Sequence, residues 1–335
     1  MKAIVWNRYG GPEGLEVREI EDPQPADNEI RVRVHATSVT AGDCEVRSLT
    51  FRFPLSLIMR LYVGLFRPRR INVLGQELAG VVDAVGRDVT HFKPGDAVFA
   101  QTDFRMGAHA EYRCFPANPD GNDNLVAPKP ANLTFEQAAV VPLGGLEALK
   151  FLREAAVRPG EKVLIIGSGG SIGTMAIQLA KHFGGEVTGI DSGAKLDMMK
   201  QIGADRVIDY TVADFTSLDD SYDVIFDVVG NHSHRRLVGR LRENGRLILA
   251  NPRFGAMIRG ARTTRDGKRL IVGLNNTLAD LLELKDLIVA GTLTPVLDCT
   301  FTLEQVPEAH HYVESGQKKG GLAITVAAGG VAPED

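Results

Sequence analysis

Lys162-Val163-Leu164-Ile165-Ile166 runs straight into Gly167-Ser168-Gly169-Gly170-Ser171-Ile172-Gly173. The first five residues read as a buried strand, and the glycines as a sharp turn. Ile172, Met175, Ala176, Leu179 and Phe183 follow at helical spacing and mark the buried stripe of a helix over 171–183. Glu186 to Asp191 then reads as a second strand ending in an acid. A strand, a glycine turn, a helix and a strand with a terminal acid together seat a dinucleotide pyrophosphate on the helix N-terminus.

Gly167, Gly170 and Gly173 fall three apart, with Gly169 added, so the spacing is GxxGxxG rather than GxGxxG. The physical demands are the same: a tight turn, close approach of a phosphate to backbone, and close packing of helix on strand. Glycine turns also serve plain packing, but the flanking strand, helix and acid weigh for the dinucleotide. The candidate phosphate contacts are therefore Gly167, Ser168, Gly169, Gly170, Ser171, Ile172 and Gly173. Asp191 lies eighteen residues past Gly173. A carboxylate there accepts from ribose hydroxyls and repels a 2′-phosphate, which favours NAD. Ser192, Lys195 and Tyr210 pull the other way, as groups able to grip that phosphate, so the balance leans only slightly to NAD over NADP. The plainer alternative makes Asp191 a helix N-cap in the Asp191-Ser192-Gly193 turn.

Outward from this unit, strands at 206–209, 222–228 and 246–250 alternate with helices at 195–202 and 233–241. Such alternation predicts an α/β domain with a parallel sheet covered on both faces. Helices are expected at 135–139 and 145–156, and Gly184 and Gly203 sit where helix C-caps belong. The first third is different. Glu29 to Val34 alternates with period two, and Ala79 to Gly86 and Asp96 to Ala100 are short strands divided by a Pro94-Gly95-Asp96 turn. Such strands predict a small closed or barrel-like β domain. The tail returns to a mixed pattern, with helices at 279–290 and 307–315 and a strand at 322–326. The expected division is 1–125 with 274–335 against 126–273.

The chain has 335 residues, 44% hydrophobic and 24% charged, which allows two soluble domains. A net charge of -4 gives no reason to expect nucleic acid as a partner. Three scattered cysteines form no disulfide framework or CxxC zinc pattern, so a reducing cytoplasm is the expected home. The opening Met1 to Trp6 reads as a strand, without a signal-peptide core. The longest apolar run, Phe53 to Phe66, reads as one helix; it contains Arg60 and is too short to span a bilayer.

Several stretches, in order, resemble the medium-chain dehydrogenase/reductase superfamily, and its zinc-free quinone oxidoreductase branch in particular. They are Gly11-Pro12, Val34 to Val39, Leu74 to Val82, Phe92 to Val98, the glycine turn, Asp227 to Gly230, and Pro307 to His310. The resemblance implies a GroES-like β domain split around a Rossmann domain. It also implies NAD(P)H as cofactor, with nicotinamide and substrate meeting in the cleft, and a homodimer joined through Rossmann sheet edges. By position, Val229, Gly230, Ala250, Asn251, Val272 and Gly273 should line the nicotinamide side, and Lys319 with Gly320 should close over the cofactor.

Zinc-dependent relatives carry metal ligands where this chain has Thr40, Gln76 and about Leu143. A catalytic zinc needs three soft or imidazole ligands, which these residues do not supply. The four-cysteine structural zinc lobe is missing as well. The expectation is therefore metal-free hydride transfer to a small lipophilic quinone, an α,β-unsaturated carbonyl or an aldehyde. A metal-free alcohol dehydrogenase and a non-catalytic dinucleotide sensor are the alternatives. With no Lewis acid, hydrogen-bond donors must stabilise charge on the substrate oxygen. Thr40 and the Gln76 amide are candidates, with Asp43 third, although Asp43 reads more readily as a helix cap. Glu77 is expected to pair with an arginine; His35, His310 and His311 are expected on strand and helix surfaces. Nothing beside Cys44 points to an activated thiolate. Phe51, Phe53, Leu57 and Tyr62 belong to a crowded apolar segment ending in Arg67-Pro68-Arg69-Arg70. It reads either as an inserted helix packed on the β domain with a solvated basic end, or as an apolar wall over the substrate.

Overall fold

The computed structural model describes residues 1–51, 53–102, 104–118, 124–214, 220–251, 267–273 and 275–326. The chain forms two compact units. One comprises Met1–Leu143, Thr277–Val289 and the chain from Leu297 onward; the other comprises Gly144–Asn276 and Ala290–Val296.

The first unit opens with β1 (Lys2–Trp6) and β2 (Leu15–Glu19), an antiparallel pair. β3 (Glu29–Ser38), α1 (Ala41–Ser48), α2 (Leu55–Val63), β4 (Glu77–Val85), β5 (Ala97–Gln101), β6 (Tyr112–Pro116), β7 (Leu125–Pro128) and α3 (Phe135–Ala139) follow. β3 is ten residues long and shares one edge between two partners: residues 29–33 pair with β6, while 36–38 pair with the last strand of the unit. Its other edge pairs with β4. A long strand that changes partners lets a sheet curl around its own apolar face, so Ile30, Val32 and Val34 point inward beside Trp6, Leu78 and Phe115. β7 pairs with β5, and α3 packs on β3 and β4. These contacts keep the chain through Leu143 in this unit, past the expected cut at 125.

The second unit supplies α4 (Pro142–Glu154), whose first two residues still belong to the first unit, then β8 (Lys162–Ile166), α5 (Ser171–His182), β9 (Glu186–Asp191), α6 (Leu196–Gln201), β10 (Arg206–Asp209), β11 (Tyr222–Asp227), α7 (His234–Gly239), β12 (Leu241–Leu249) and β13 (Arg269–Val272). Its six strands are all parallel, in the order β10-β9-β8-β11-β12-β13. That is the doubly wound Rossmann order, with connections leaving β8 in opposite directions. Gly184 and Gly203 take left-handed φ values of 84° and 109° just past α5 and α6, as a C-cap glycine must. The returning tail adds the helix Leu278–Val289, β14 (Leu297–Thr302), the helix Val306–Glu314 and β15 (Gly321–Thr325) to the first unit, with β15 against β3. Among the described residues no helix is long and apolar enough to cross a membrane.

Candidate cofactor site

Every residue expected on the second unit's ligand side stands at the carboxyl ends of its strands. Gly167 follows β8, Asp191 ends β9, Val229 and Gly230 follow β11, Ala250 and Asn251 follow β12, and Val272 with Gly273 closes β13. In an open parallel sheet, this end at the reversal of strand order is where a ligand crevice forms.

The turn is more tightly built than its glycines alone imply. The N–H groups of Gly167 and Ser168 both donate to Ile190 O, at 3.0 and 3.1 Å, and Gly169 N–H donates to Asp191 Oδ2 at 2.8 Å. These three amides, and the buried Ser168 hydroxyl that donates to Ile190 O at 3.1 Å, tie the turn to β9 rather than face a phosphate. The donors left for an anion begin one turn later. Gly170 caps α5 in an extended conformation with no side-chain cap, so first-turn amides such as those of Ile172 and Gly173 stay open. Gly173 is obligatory: a Cβ there would sit 2.3 Å from Gly167 O and hold the helix off the turn. Gly167 needs glycine for its φ of 81°.

Asp191 is buried, and its carboxylate is fully engaged. Besides Gly169, it accepts from Ser192 N–H at 2.8 Å, and Lys195 Nζ lies 3.1 Å from Oδ1. It is a buckle across the turn rather than a helix cap. Lys195 is buried with it, so the group expected to grip a 2′-phosphate already neutralises the group expected to repel one. Tyr210 is exposed, and its N–H donates to Asp191 O at 3.2 Å, which places it at the same strand end. On the other side of β8, Asp227 Oδ1 accepts from Val229 N–H at 3.1 Å and Gly230 N–H at 2.9 Å, fixing the turn after β11.

In the first unit Thr40 is the N-cap of α1. Its hydroxyl donates to Asp43 Oδ2 at 2.7 Å, its N–H donates to the same oxygen at 2.8 Å, and Asp43 N–H returns a bond to Thr40 Oγ1 at 3.2 Å. Asp43 Oδ1 accepts from Gly75 N–H at 3.0 Å. The Thr40 proton is thus spent on the cap, and Asp43 is a fully buried structural acid. Gln76 is half-buried, and its carboxamide lies over Gly42 at the start of α1. Lys319 is half-buried in the tail, where its N–H donates to Asp298 Oδ2 at 3.0 Å. Phe51 packs on the core, whereas Phe53, Leu57 and Tyr62 are exposed.

The Alcohol dehydrogenase GroES-like domain family matches residues 26–130, and the Zinc-binding dehydrogenase family matches residues 202–324. The 2-methylene-furan-3-one reductase of Solanum lycopersicum is 30% identical over 97% of this chain and 79% of its own length. The chloroplastic NADPH-dependent alkenal/one oxidoreductase of Arabidopsis thaliana is likewise 30% identical, with the same coverage. The solved quinone oxidoreductase of Coxiella burnetii superposes with a TM-score of 0.84 at 28% identity, covering 98% of this chain and 99% of that one. The chain belongs to the medium-chain dehydrogenase/reductase superfamily, in its quinone oxidoreductase branch.

The metal that names one of these family models does not fit the three positions where zinc-dependent relatives carry its ligands. A capping hydroxyl at Thr40, an amide at Gln76 and an alkyl chain at Leu143 make no zinc ligand set, and among the described residues no three His, Cys, Asp or Glu side chains gather as one. Two buried polar features depart from the sequence expectations. Glu77 has no arginine. Its carboxylate accepts from Ser38 Oγ at 2.5 Å and Leu143 N–H at 2.7 Å, but burial outweighs these bonds and the Lys318 charge and pushes its pKa up to about 7. Its signal was a lone acid inside the apolar run Leu74 to Val82. His310 is not a surface residue but fully buried, and Arg47 Nε donates to its Nδ1 at 3.3 Å. Val306, Ala309, His310 and Val313 share one helical face, which was the legible clue. Burial holds the His310 pKa well below its ordinary value and pushes the neighbouring Cys44 thiol up to about 12, so that thiol is inert.

Proposed function

We propose that this chain is a zinc-independent reductase that transfers hydride from NAD(P)H to a quinone, an α,β-unsaturated carbonyl or an aldehyde. The observation that carries the reading is the uncapped N-terminus of α5, held beside a glycine turn that Asp191 locks, at the strand-order reversal of a parallel sheet. The nicotinamide supplies the hydride. The chain's own part is to bind and orient: first-turn amides of α5 on the pyrophosphate, Asp191 with Ser192, Lys195 and Tyr210 at the adenosine end, Asn251 and Gly273 toward the nicotinamide, and Lys319 from the tail.

Charge developing on the substrate oxygen then falls to neutral donors, of which the Gln76 amide is the best placed by chemistry, since the Thr40 proton is committed. A conjugated acceptor suits such a site because it spreads that charge. NAD is slightly favoured over NADP: Asp191 stands at the ribose end, but its pairing with Lys195 weakens its repulsion of a 2′-phosphate. A reducing cytoplasm suits three free thiols, and the open edge at β13 suits a homodimer.

Fluorescence titration with NADH and NADPH, followed by oxidation assays over quinones, enals and aldehydes, tests the reading. Saturable binding with turnover on conjugated acceptors supports it; no binding of either nucleotide overturns it. One observation favours a second reading: the commitment of the Thr40 hydroxyl leaves the substrate oxygen one donor short. Binding without turnover on any acceptor would select that non-catalytic role.

A further inference from the structure

The segment from Phe53 to Arg70 combines two properties. It holds large apolar side chains in solvent: Phe53 is 79% exposed, Leu61 66% and Phe66 88%, with Leu57, Ile58 and Leu65 also exposed. It is also purely cationic. Between Glu45 and Glu77 the sequence contains no acid, while Arg60, Arg67, Arg69 and Arg70 lie on this segment, in a chain whose net charge is -4. All four guanidinium groups belong to exposed residues. Arg60 lies over the Tyr9 ring at 5.1 Å and Arg70 over the Tyr62 ring at 4.7 Å, and among the described residues neither meets a carboxylate.

The display is anchored. α2 turns Met59 and Val63 to the core, four residues apart on one face, and leaves Leu57, Ile58 and Leu61 on the other. Beyond it, Arg69 and Arg70 N–H groups donate to Val63 O at 3.0 and 3.1 Å, Tyr9 OH donates to Gly64 O at 2.5 Å, and Ile71 is buried. Contiguous exposed apolar side chains on an anchored frame mark an interaction surface rather than a packing accident.

We propose that this face docks the protein on an anionic bilayer surface. The apolar side chains enter the headgroup boundary and the arginines meet lipid phosphates, as on an interfacial amphipathic helix. Charge complementarity decides against a second copy of the chain. A two-fold contact through this patch would set one arginine cluster against its twin with no carboxylate between them. The docking stands without the proposed reaction. It does add to that reading, because lipophilic quinones and enals partition into bilayers and the protein would meet them there.

The test uses the full chain without nucleotide or substrate, so it does not depend on the proposed chemistry. Protein is sedimented with vesicles of phosphatidylcholine alone, or with about one third phosphatidylserine, at low and high salt. The expected result is partitioning about tenfold stronger on the anionic vesicles, falling with salt, and lost about tenfold in L61E/F66E and in R69Q/R70Q. Native circular dichroism of the variants checks that they fold. Equal partitioning on both vesicles overturns the proposal. So does a wild-type dimer that L61E/F66E turns into monomer while no vesicle binds. So does a rise in KM for bulky acceptors in L61E/F66E with vesicle binding unchanged, which would make the segment a substrate wall instead.

Discussion

Two buried acids, one in each unit, do opposite things with burial. Asp191 sits beside Lys195 Nζ at 3.1 Å and accepts from two backbone amides, so its charge is matched where it stands. Glu77 accepts from one hydroxyl and one amide, the Lys318 charge acts on it too weakly to offset burial, and its pKa rises to about 7. The difference teaches that a buried carboxylate is defined by its neighbours. Asp191 is a permanent buckle for the cofactor turn; Glu77 is an acid near its own midpoint at neutral pH.

The comparison breaks most sharply at Asp191. Asp191→Ala leaves Lys195 buried without a counter-charge and unties Gly169, and is expected to cost about 3–5 kcal/mol. Urea unfolding should show it, and NADH binding should be lost in the same protein. A cost under about 1 kcal/mol would mean that the pair is solvated after all.

Next is Glu77→Ala, which leaves Ser38 Oγ and Leu143 N–H without their buried acceptor, at about 1–3 kcal/mol by the same measurement. Glu77→Gln sharpens the contrast through pH. The folded pKa of Glu77 lies above its unfolded value. Its contribution is therefore complete near pH 4 and declines as pH rises through about 7. His109 and His310 are lowered by burial, so they act in the reverse sense, and stability falls as pH drops below about 6.5. Relative to Glu77→Gln, wild type should thus lose stability as pH rises from about 4.5 to about 7 and change little above that, because the histidine contribution is common to both proteins. Parallel curves for the two proteins would remove Glu77 from the account.

The smallest effect concerns the nucleotide. Asp191→Asn keeps the size of the side chain but frees the Lys195 charge, and should shift the NADPH-to-NADH affinity ratio upward by about tenfold, or about 1.4 kcal/mol. An unchanged ratio would show that neither residue reads the 2′ position.

Much of this was legible before any coordinates. The 162–191 run predicts β8, the turn, α5 and β9 because two periodicities and three glycines agree there, and β8 and β9 span the residues expected. β6, β7 and β13 were missed: they are four or five residues long, and their identity as strands comes from pairing with β3, β5 and β12. Phe53 to Phe66 reads as one helix, but α2 is only Leu55–Val63, because Pro54 precedes it and Gly64, at φ 149°, ends it. Ser168 looks like a phosphate ligand in sequence, yet its hydroxyl turns inward to Ile190 O.

The amino-acid sequence by itself determined the α/β architecture, the place of the glycine turn and the lack of zinc ligands at Thr40 and Gln76. Those are matters of periodicity, spacing and side-chain chemistry, which are local. Only the tertiary structure decided which amides of the turn remain open, that Lys195 neutralises Asp191, that burial at Glu77 outweighs its hydrogen bonds and the Lys318 charge, and that α2 faces solvent with its apolar side. Each of these depends on what another stretch of chain brings within a few ångströms, and electrostatic and desolvation energies are set at that distance.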